Sequence, residues 1–324
     1  MAISDIRTLS RLEFLKRAFN KLYSEDVSKA LLQAAADSSI KQYESNWKSF
    51  ATWLPESTTS INRPLVLAYL TELSKTLAPR TVLVHRNALK LPLELGFNID
   101  FSHNHFSLLA KSHFRRAPPK KKLLPSWSLE KALVILRSRV VSNQDILARF
   151  LKTIFLIAVA SANRAAELAA IDRKTILFRG NKASLGVRSD FVFKNQSLMC
   201  APSNIEIPGL QGDTLCPLRS LKAYLELTKD SSEPSLFIHP KTGKSLNAAG
   251  ISYWLAKSID WLLPGCLGKG HDIRKLVTSH AWYRGVPANE IVAAGSWTSL
   301  CTFIKKYLCF DRPKGFAVIA RTVC

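Results

Sequence analysis

The sequence predicts a mostly helical protein in two domains, with one small antiparallel sheet in the second. Three observations lead there. Apolar residues recur at three- and four-residue spacing through most of the chain, the period of a helix with one buried face. The period changes to short runs only around 175–208, where Gly180-Asn181 offers a two-residue hairpin turn. Between 111 and 122, KSHFRRAPPKKK carries six basic residues, no acid and two adjacent prolines, the composition of a linker. The expected domains are therefore 1–110 and 123–324, and 324 residues suffice to bury two cores without disulfides.

The first domain reads as a run of helices. Asp37-Ser38-Ser39 is a plausible N-cap region, after which Ile40, Tyr43, Trp47, Phe50 and Leu54 form an apolar stripe. Pro64 suits the first turn of a second helix bearing Leu65, Leu67, Tyr69, Leu70 and Leu73. Pro79 opens a third, with Val82, Val84, Ala88, Leu89 and Leu91, and Gly96 ends it. Lys41, Lys48, Arg80, Arg86 and Lys90 fall mostly off these stripes, where they are solvated or free to meet a polyanion.

The second domain opens with a helix over 128–137, capped by Ser128. Residues 143–168 read as one long buried helix or two abutting ones. Strands follow at 175–178, 184–193 and 205–208. Helices return at 218–227, 251–262, 271–284, 287–294 and 302–308, and a tail to 324 contains the apolar run 316–320.

Charge narrows the function. The chain has 46 Lys and Arg against 24 Asp and Glu, a net charge of +22. Only +3 of this belongs to 1–110, while +13 belongs to 123–324. Such an excess points to a polyanionic partner, nucleic acid first. In the linker, Arg115, Arg116, Lys120, Lys121 and Lys122 fit a solvated tether, a nuclear-import address or a strand that tracks phosphates. The longest apolar run, 150–162, is broken by Lys152 and too short to span a bilayer, so no membrane partner is expected. The N-terminus lacks the layout of a signal peptide. Six cysteines form no CxxC pair and no zinc-finger spacing with histidine, which suggests reduced thiols and no metal.

Several residues are unusual for their surroundings. Arg164 closes a buried apolar stretch in SANRAAELAAI, with Glu167 one turn on, either a structural ion pair or a held functional cation. His271 and Arg274 share one face at a helix start, behind Gly268 and Gly270, an arrangement able to clamp a phosphate. Trp297, in AAGSW, is by itself a packing residue. Tyr307 follows Lys305 and Lys306, and is either amphipathic packing or a phenol whose ionisation is eased by cations.

The ordered set Arg164, His271-Asp-Ile-Arg274, Trp297 and Tyr307 resembles the tyrosine recombinase, or phage-integrase, family. SSIKQYESNWKSFATWL and APRTVLVHRNALK resemble its helical, SAM-like core-binding domain. HDIRKLVTSHAWYRGVPANEIVAAGSWTSLCTFIKKYL, LCPLRSLKAYLELT and LFIHPKTGKSLN resemble the recombinases of eukaryotic DIRS-like retroelements. The ten-residue step from Trp297 to Tyr307 is longer than in prokaryotic members and matches that branch.

The resemblance covers roughly 25–310. It implies a two-domain clamp on double-stranded DNA and metal-free phosphoryl transfer with no cofactor. In that scheme Tyr307 forms a 3′-phosphotyrosyl link, and Arg164 and Arg274 hold the phosphate. His271 moves a proton or binds the phosphate. Trp297 donates its N–H or packs the nucleophile helix, and Glu167 orients Arg164. A general-acid lysine on the hairpin between the second and third strands would be Lys194, with Lys182 the competitor. The resemblance further implies dimers to tetramers on DNA, nuclear residence, and service to a mobile element, and it favours a tail (308–324) that docks on a neighbouring protomer over one that packs on its own domain. Two alternatives stay open: a catalytically inactive sequence-specific DNA-binding protein of the same fold, and a type IB topoisomerase-like relaxing enzyme.

Overall fold

The computed structural model describes residues 1–34, 37–118, 125–142, 144–193, 204–297 and 299–309. It separates into two compact units, Met1–Lys122 and Leu123–Cys324.

The first unit is wholly helical among its described residues: α1 (Ile3–Thr8), α2 (Arg11–Asn20), α3 (Glu25–Leu32), α4 (Asp37–Trp53), α5 (Arg63–Thr76), α6 (Pro79–Phe97) and α7 (Asn104–Arg116). The stripe on α4 and the apolar residues of α5 and α6 meet in one core around Trp47, Phe50, Tyr69 and Leu89, joined by Ile6 and Phe14 from the first two helices. α6 does not stop at Gly96. It runs to Phe97 and ends on Asn98, which takes the left-handed conformation at φ 53°.

α6 also carries Pro92 in its interior. Proline has no N–H, so the carbonyl of Ala88, four residues back, loses its helical donor. Arg11 Nε supplies the missing bond at 2.8 Å in the buried interior. Residues 111–116, expected as linker, are instead the last turns of α7, and Arg116 Nη2 donates to Ser74 Oγ at 3.0 Å.

The second unit contains α8 (Leu129–Ser138), α9 (Ile146–Ser161), α10 (Ala165–Ala169), a 3₁₀ turn at Arg173–Thr175, and strands β1 (Leu177–Arg179), β2 (Lys182–Leu185) and β3 (Ile205–Pro208). After the sheet come α11 (Pro217–Leu227), α12 (Ala248–Leu262), α13 (Gly270–Tyr283), α14 (Ala288–Ala294) and α15 (Leu300–Lys306). The sheet is antiparallel in the order β1-β2-β3. Arg179 pairs with Lys182 across the Gly180-Asn181 turn, where Gly180 has φ +55°.

The second strand is shorter than the sequence suggests. β2 stops at Leu185, and of the stretch beyond it only Val187 makes a bridge, to Ile171. α9 is the axis of this unit: Phe150 through Ala158 are all buried, so its apolar residues show no single stripe. Its hydroxyl at Thr153 meets Ser220 Oγ of α11 at 2.8 Å, which satisfies both inside the core. The expected helical stretch 143–168 is two helices, α9 and α10, divided at Ala162 (φ 51°). No helix among the described residues is long and apolar enough to cross a membrane.

Candidate active site

Five of the six predicted catalytic residues come together in the second unit. The first is Arg164. The left-handed turn at Ala162 reverses the chain off α9, and Arg164 becomes the N-cap of α10. Glu167 stands at the third position of that helix, as in half of a capping box. One carboxylate oxygen accepts the Arg164 backbone N–H at 2.8 Å, the other its Nη1 at 2.5 Å. Glu167 is 2% exposed and lies 3.8 Å from Arg274 Nη1, so one buried carboxylate serves two guanidinium groups.

Arg274 enters on α13. Gly270 makes that placement possible, because a Cβ there would stand 2.9 Å from the Ser252 carbonyl oxygen of α12. Arg274 is 2% exposed. Its Nη1 donates to the Ala162 carbonyl at 2.6 Å, and its Nη2 donates to the carbonyl of Gly295. Both acceptors lie at helix C-termini, those of α9 and α14, where the carbonyl dipoles favour a cation. Burial pushes the Arg274 pKa down to about 10, helped by the charge of Arg164 and opposed by Glu167. The group therefore stays a cation at neutral pH.

Trp297 is set by the end of α14. Its backbone N–H donates to the Val292 carbonyl at 3.0 Å while Ser296 takes φ 46°, a Schellman closure with serine where glycine is usual. The ring crosses directly over Gly295, where any Cβ would strike it. Arg274 Cζ sits 4.5 Å from the centre of the indole. Trp297 then packs on Tyr307, with ring centres 4.5 Å apart.

Tyr307 caps the C-terminus of α15, one residue past the helix, rather than lying within it. Arg274 Cζ lies 5.3 Å from its ring centre, and the exposed His271 ring stands edge-on to it at 5.5 Å. Burial pushes the phenol pKa up. The Trp297 N–H and the charges of Arg274 and Arg164 outweigh burial, so the net shift is downward. That N–H acts at a distance, since Trp297 Nε1 makes no hydrogen bond of normal geometry.

A cavity of about 160 Å³ opens here, lined by Asn163, Arg164, Ser252, Gly270, His271 and Arg274. Arg274 Nε and Trp297 Nε1 are buried donors without an acceptor. Glu167, the carboxylate of the site, is already engaged by Arg164. A pocket rich in donors and short of acceptors is shaped for an anion.

The sixth residue, Lys194, lies outside the described residues, in the connection from β2 to β3. Its competitor Lys182 is exposed and pairs with Glu206 at 3.1 Å across the sheet. Lys120, Lys121, Lys122 and the tail beyond 309 are also outside the described residues. In the first unit, Lys41, Lys48, Arg80, Lys90, Arg115 and Arg116 are exposed. Arg86 differs: it is half-buried, donates to the Phe101 carbonyl at 2.8 Å and covers the Phe106 ring at 5.6 Å, so its charge is committed to packing.

Sequence reasoning missed Ser279. This buried α13 residue accepts the Cys309 N–H at 2.8 Å, and Tyr283 Oη, one turn further, donates to the Cys309 carbonyl at 3.4 Å. Their i, i+4 spacing was the signal available, but a serine and a tyrosine one turn apart are too common to stand out.

No family model matches the chain, and no curated protein matches it in sequence. Solved structures match in fold. The XerH site-specific recombinase bound to palindromic difH substrate, in a post-cleavage complex, gives a TM-score of 0.61 at 15% identity, covering 96% of this chain and 95% of that one. The Tn1549 transposon integrase in complex with transposon right end DNA gives 0.61 at 11%, covering 98% and 100%. A lambda integrase dimer bound to a COC′ core site gives 0.57 at 16%, covering 94% and 97%. The chain has the fold of the tyrosine recombinases, a mostly helical architecture with a small three-stranded antiparallel sheet in the second unit.

Proposed function

We propose that this chain is a site-specific DNA recombinase that cleaves and rejoins duplex DNA through a 3′-phosphotyrosyl intermediate. The observation that carries the reading is one cluster drawn from positions up to 143 residues apart: Arg164, His271 and Arg274 line a donor-rich cavity, and Trp297 and Tyr307 pack against Arg274 and His271 beside it. The fold shared with DNA-bound recombinases supports it.

The chemistry follows from the groups present. The scissile phosphate enters among Arg164, Arg274, His271 and the Trp297 N–H. Tyr307 Oη attacks phosphorus, the bond from phosphorus to the 5′-oxygen breaks, and the phenol proton passes to His271. Lys194 protonates the departing 5′-oxygen. Charge grows on the non-bridging oxygens as the transition state forms, and guanidinium groups fixed beforehand stabilise it without reorganising. The phosphotyrosyl bond retains the energy of the phosphodiester, so attack by a 5′-hydroxyl reverses the steps.

In the same proposal the first unit and the basic stretch 111–122 bind DNA through phosphate contacts. Protomers associate on DNA, and the chain serves the integration of a mobile element of DIRS-like type in a nucleus. The sequence similarities of 38–54, 78–90 and 271–308 and the basic stretch support that finer reading.

Covalent capture tests the reaction. Full-length protein is mixed with duplexes carrying randomised sites and nicks that release the 5′ fragment, beside Tyr307→Phe. A denaturation-resistant adduct that disappears in Tyr307→Phe is expected, and its DNA identifies the site. A clear binding motif with no adduct overturns the catalytic reading in favour of a DNA-binding protein of this fold.

A further inference from the structure

We propose that Lys152, with Arg137, Arg149 and Arg219, forms a second anion site in the second unit, one that takes a phosphate group. It lies on α9, ten residues before Ala162, and so about 15 Å along the helix from the carbonyl that holds Arg274. The inference is independent of any reaction at Tyr307.

The contact of α9 with α11 sets the site. Thr153 and Ser220 are hydrogen-bonded at 2.8 Å, and their neighbours Lys152 and Arg219 flank that bond. Arg149 is one turn before Lys152 and its Nη2 reaches the Val141 carbonyl at 3.3 Å. Arg137, at the end of α8, pairs with Asp213 at 3.2 Å, and Arg219 Nη2 donates to the Asp213 carbonyl. Asp213 is thus paired with Arg137, holds Arg219 through its carbonyl and is the carboxylate whose charge reaches Lys152, against three further cations. The other carboxylate close in sequence, Asp145, is engaged in capping α9 through the Ala148 N–H at 2.9 Å.

Lys152 is what makes this more than a basic surface. It is only 9% exposed, yet among the described residues it has no hydrogen bond or ion pair. A lysine side chain buried to that degree with no partner is partly stripped of its hydration, and the first turn of α11 adds a further positive end. Burial lowers its pKa, the neighbouring charges of Arg149 and Arg219 lower it further, and Asp213 offsets them in part. A buried lysine beside two guanidinium groups wants an anion with several acceptor oxygens. A phosphate supplies that, and guanidinium groups bind it in paired fashion.

The test is thermal unfolding of the full chain with inorganic phosphate, against potassium chloride at matched ionic strength. Phosphate stabilises most proteins by exclusion from their surfaces, so the comparison is with Lys152→Met and with the exposed-site variant Arg219→Gln. The wild-type midpoint should rise by about 5 °C more than that of either variant at saturation. Without phosphate, Lys152→Met should unfold at a higher temperature than wild type, and phosphate should narrow or reverse that order. Equal phosphate shifts in all three proteins overturn the proposal. Should Lys152→Met fail to fold, Arg219→Gln decides alone, since its side chain is outside the core. A duplex-binding arm separates the sources of phosphate. Weaker binding of random-sequence duplex by the variants assigns the site to a polynucleotide backbone, and unchanged duplex binding with a lost phosphate shift assigns it to a free phosphorylated ligand.

Discussion

Ser279 Oγ accepts the backbone N–H of Cys309 at 2.8 Å, which ties the chain two residues beyond Tyr307 to the helix that carries His271 and Arg274. Tyr283 Oη reinforces the tie at the Cys309 carbonyl, at 3.4 Å. One helix therefore presents His271 and Arg274 on its first turns and holds the segment of Tyr307 with its last. Ser279→Ala removes the acceptor and leaves the Cys309 N–H without it. We expect the rate of Tyr307 adduct formation to fall by about 10- to 100-fold through misplacement of the phenol, with duplex affinity unchanged. Ser279→Thr keeps the oxygen and should recover most of the rate. An unaltered rate in Ser279→Ala would show that packing of Tyr307 on Trp297 suffices.

Glu167 neutralises two guanidinium groups from 2% exposure, so removing its charge leaves Arg274 buried without a carboxylate. Glu167→Gln keeps the size and loses the charge. Breaking one partner of a buried pair typically costs about 3–5 kcal/mol. Arg164 is itself 19% exposed and can recruit water, which favours the lower end of that range. Urea unfolding of the full chain measures it. A loss under about 1 kcal/mol, the worth of an exposed pair, would mean that the carbonyls of Ala162 and Gly295 already hold Arg274 adequately.

The phenol of Tyr307 is pushed up by burial and pulled down further by Trp297, Arg274 and Arg164, ending below the ordinary value of 10.0. For an acid shifted this way, the folded state binds its proton less tightly than the unfolded chain does. Its contribution to stability is absent at neutral pH, appears as pH rises through the folded midpoint, and is complete above the unfolded value of about 10. An absorbance titration of wild type minus Tyr307→Phe should place this phenol's midpoint below the ordinary tyrosine value. Arg274→Gln should move the midpoint upward. A midpoint indifferent to Arg274→Gln would assign the downward pull to Trp297 and Arg164 instead.

What the sequence revealed depended on whether a feature is local. The stripe on α4, the hairpin at Gly180-Asn181, and the Arg164–Glu167 pair are one-turn relationships, and spacing alone exposes them. The strand expected over 184–193 ended at Leu185 because pairing to β3 decides a strand's length, and β3 pairs only with 182–185. Helix α7 absorbed half of the expected linker because basic residues near a helix C-terminus suit its dipole as well as they suit a solvated tether. Within the site, His271, Arg274, Trp297 and Tyr307 were legible as a set. The groups that hold Arg274 were not, since they are backbone carbonyls at Ala162 and Gly295, and a carbonyl has no signature in a list of side chains.

The first unit offers a sharper instance of the same kind. Pro92 deprives the Ala88 carbonyl of its helical donor, and Arg11 Nε fills the gap at 2.8 Å from another helix. Burial lowers the Arg11 pKa, while Tyr43 and Glu44 oppose the shift, so the cation is retained at a cost. If the bond is the reason for that buried cation, Arg11 and position 92 must be coupled. Arg11→Met alone should destabilise the unit by about 1–3 kcal/mol, the penalty for an unsatisfied buried carbonyl. In a Pro92→Ala background the residue-92 N–H can reach Ala88 directly, so the same Arg11→Met substitution should cost much less. A double-mutant cycle by urea unfolding isolates this coupling, because the two single changes otherwise touch different helices. A coupling energy near zero would leave Arg11 explained by its stacking on Tyr43, 5.0 Å away, rather than by the proline.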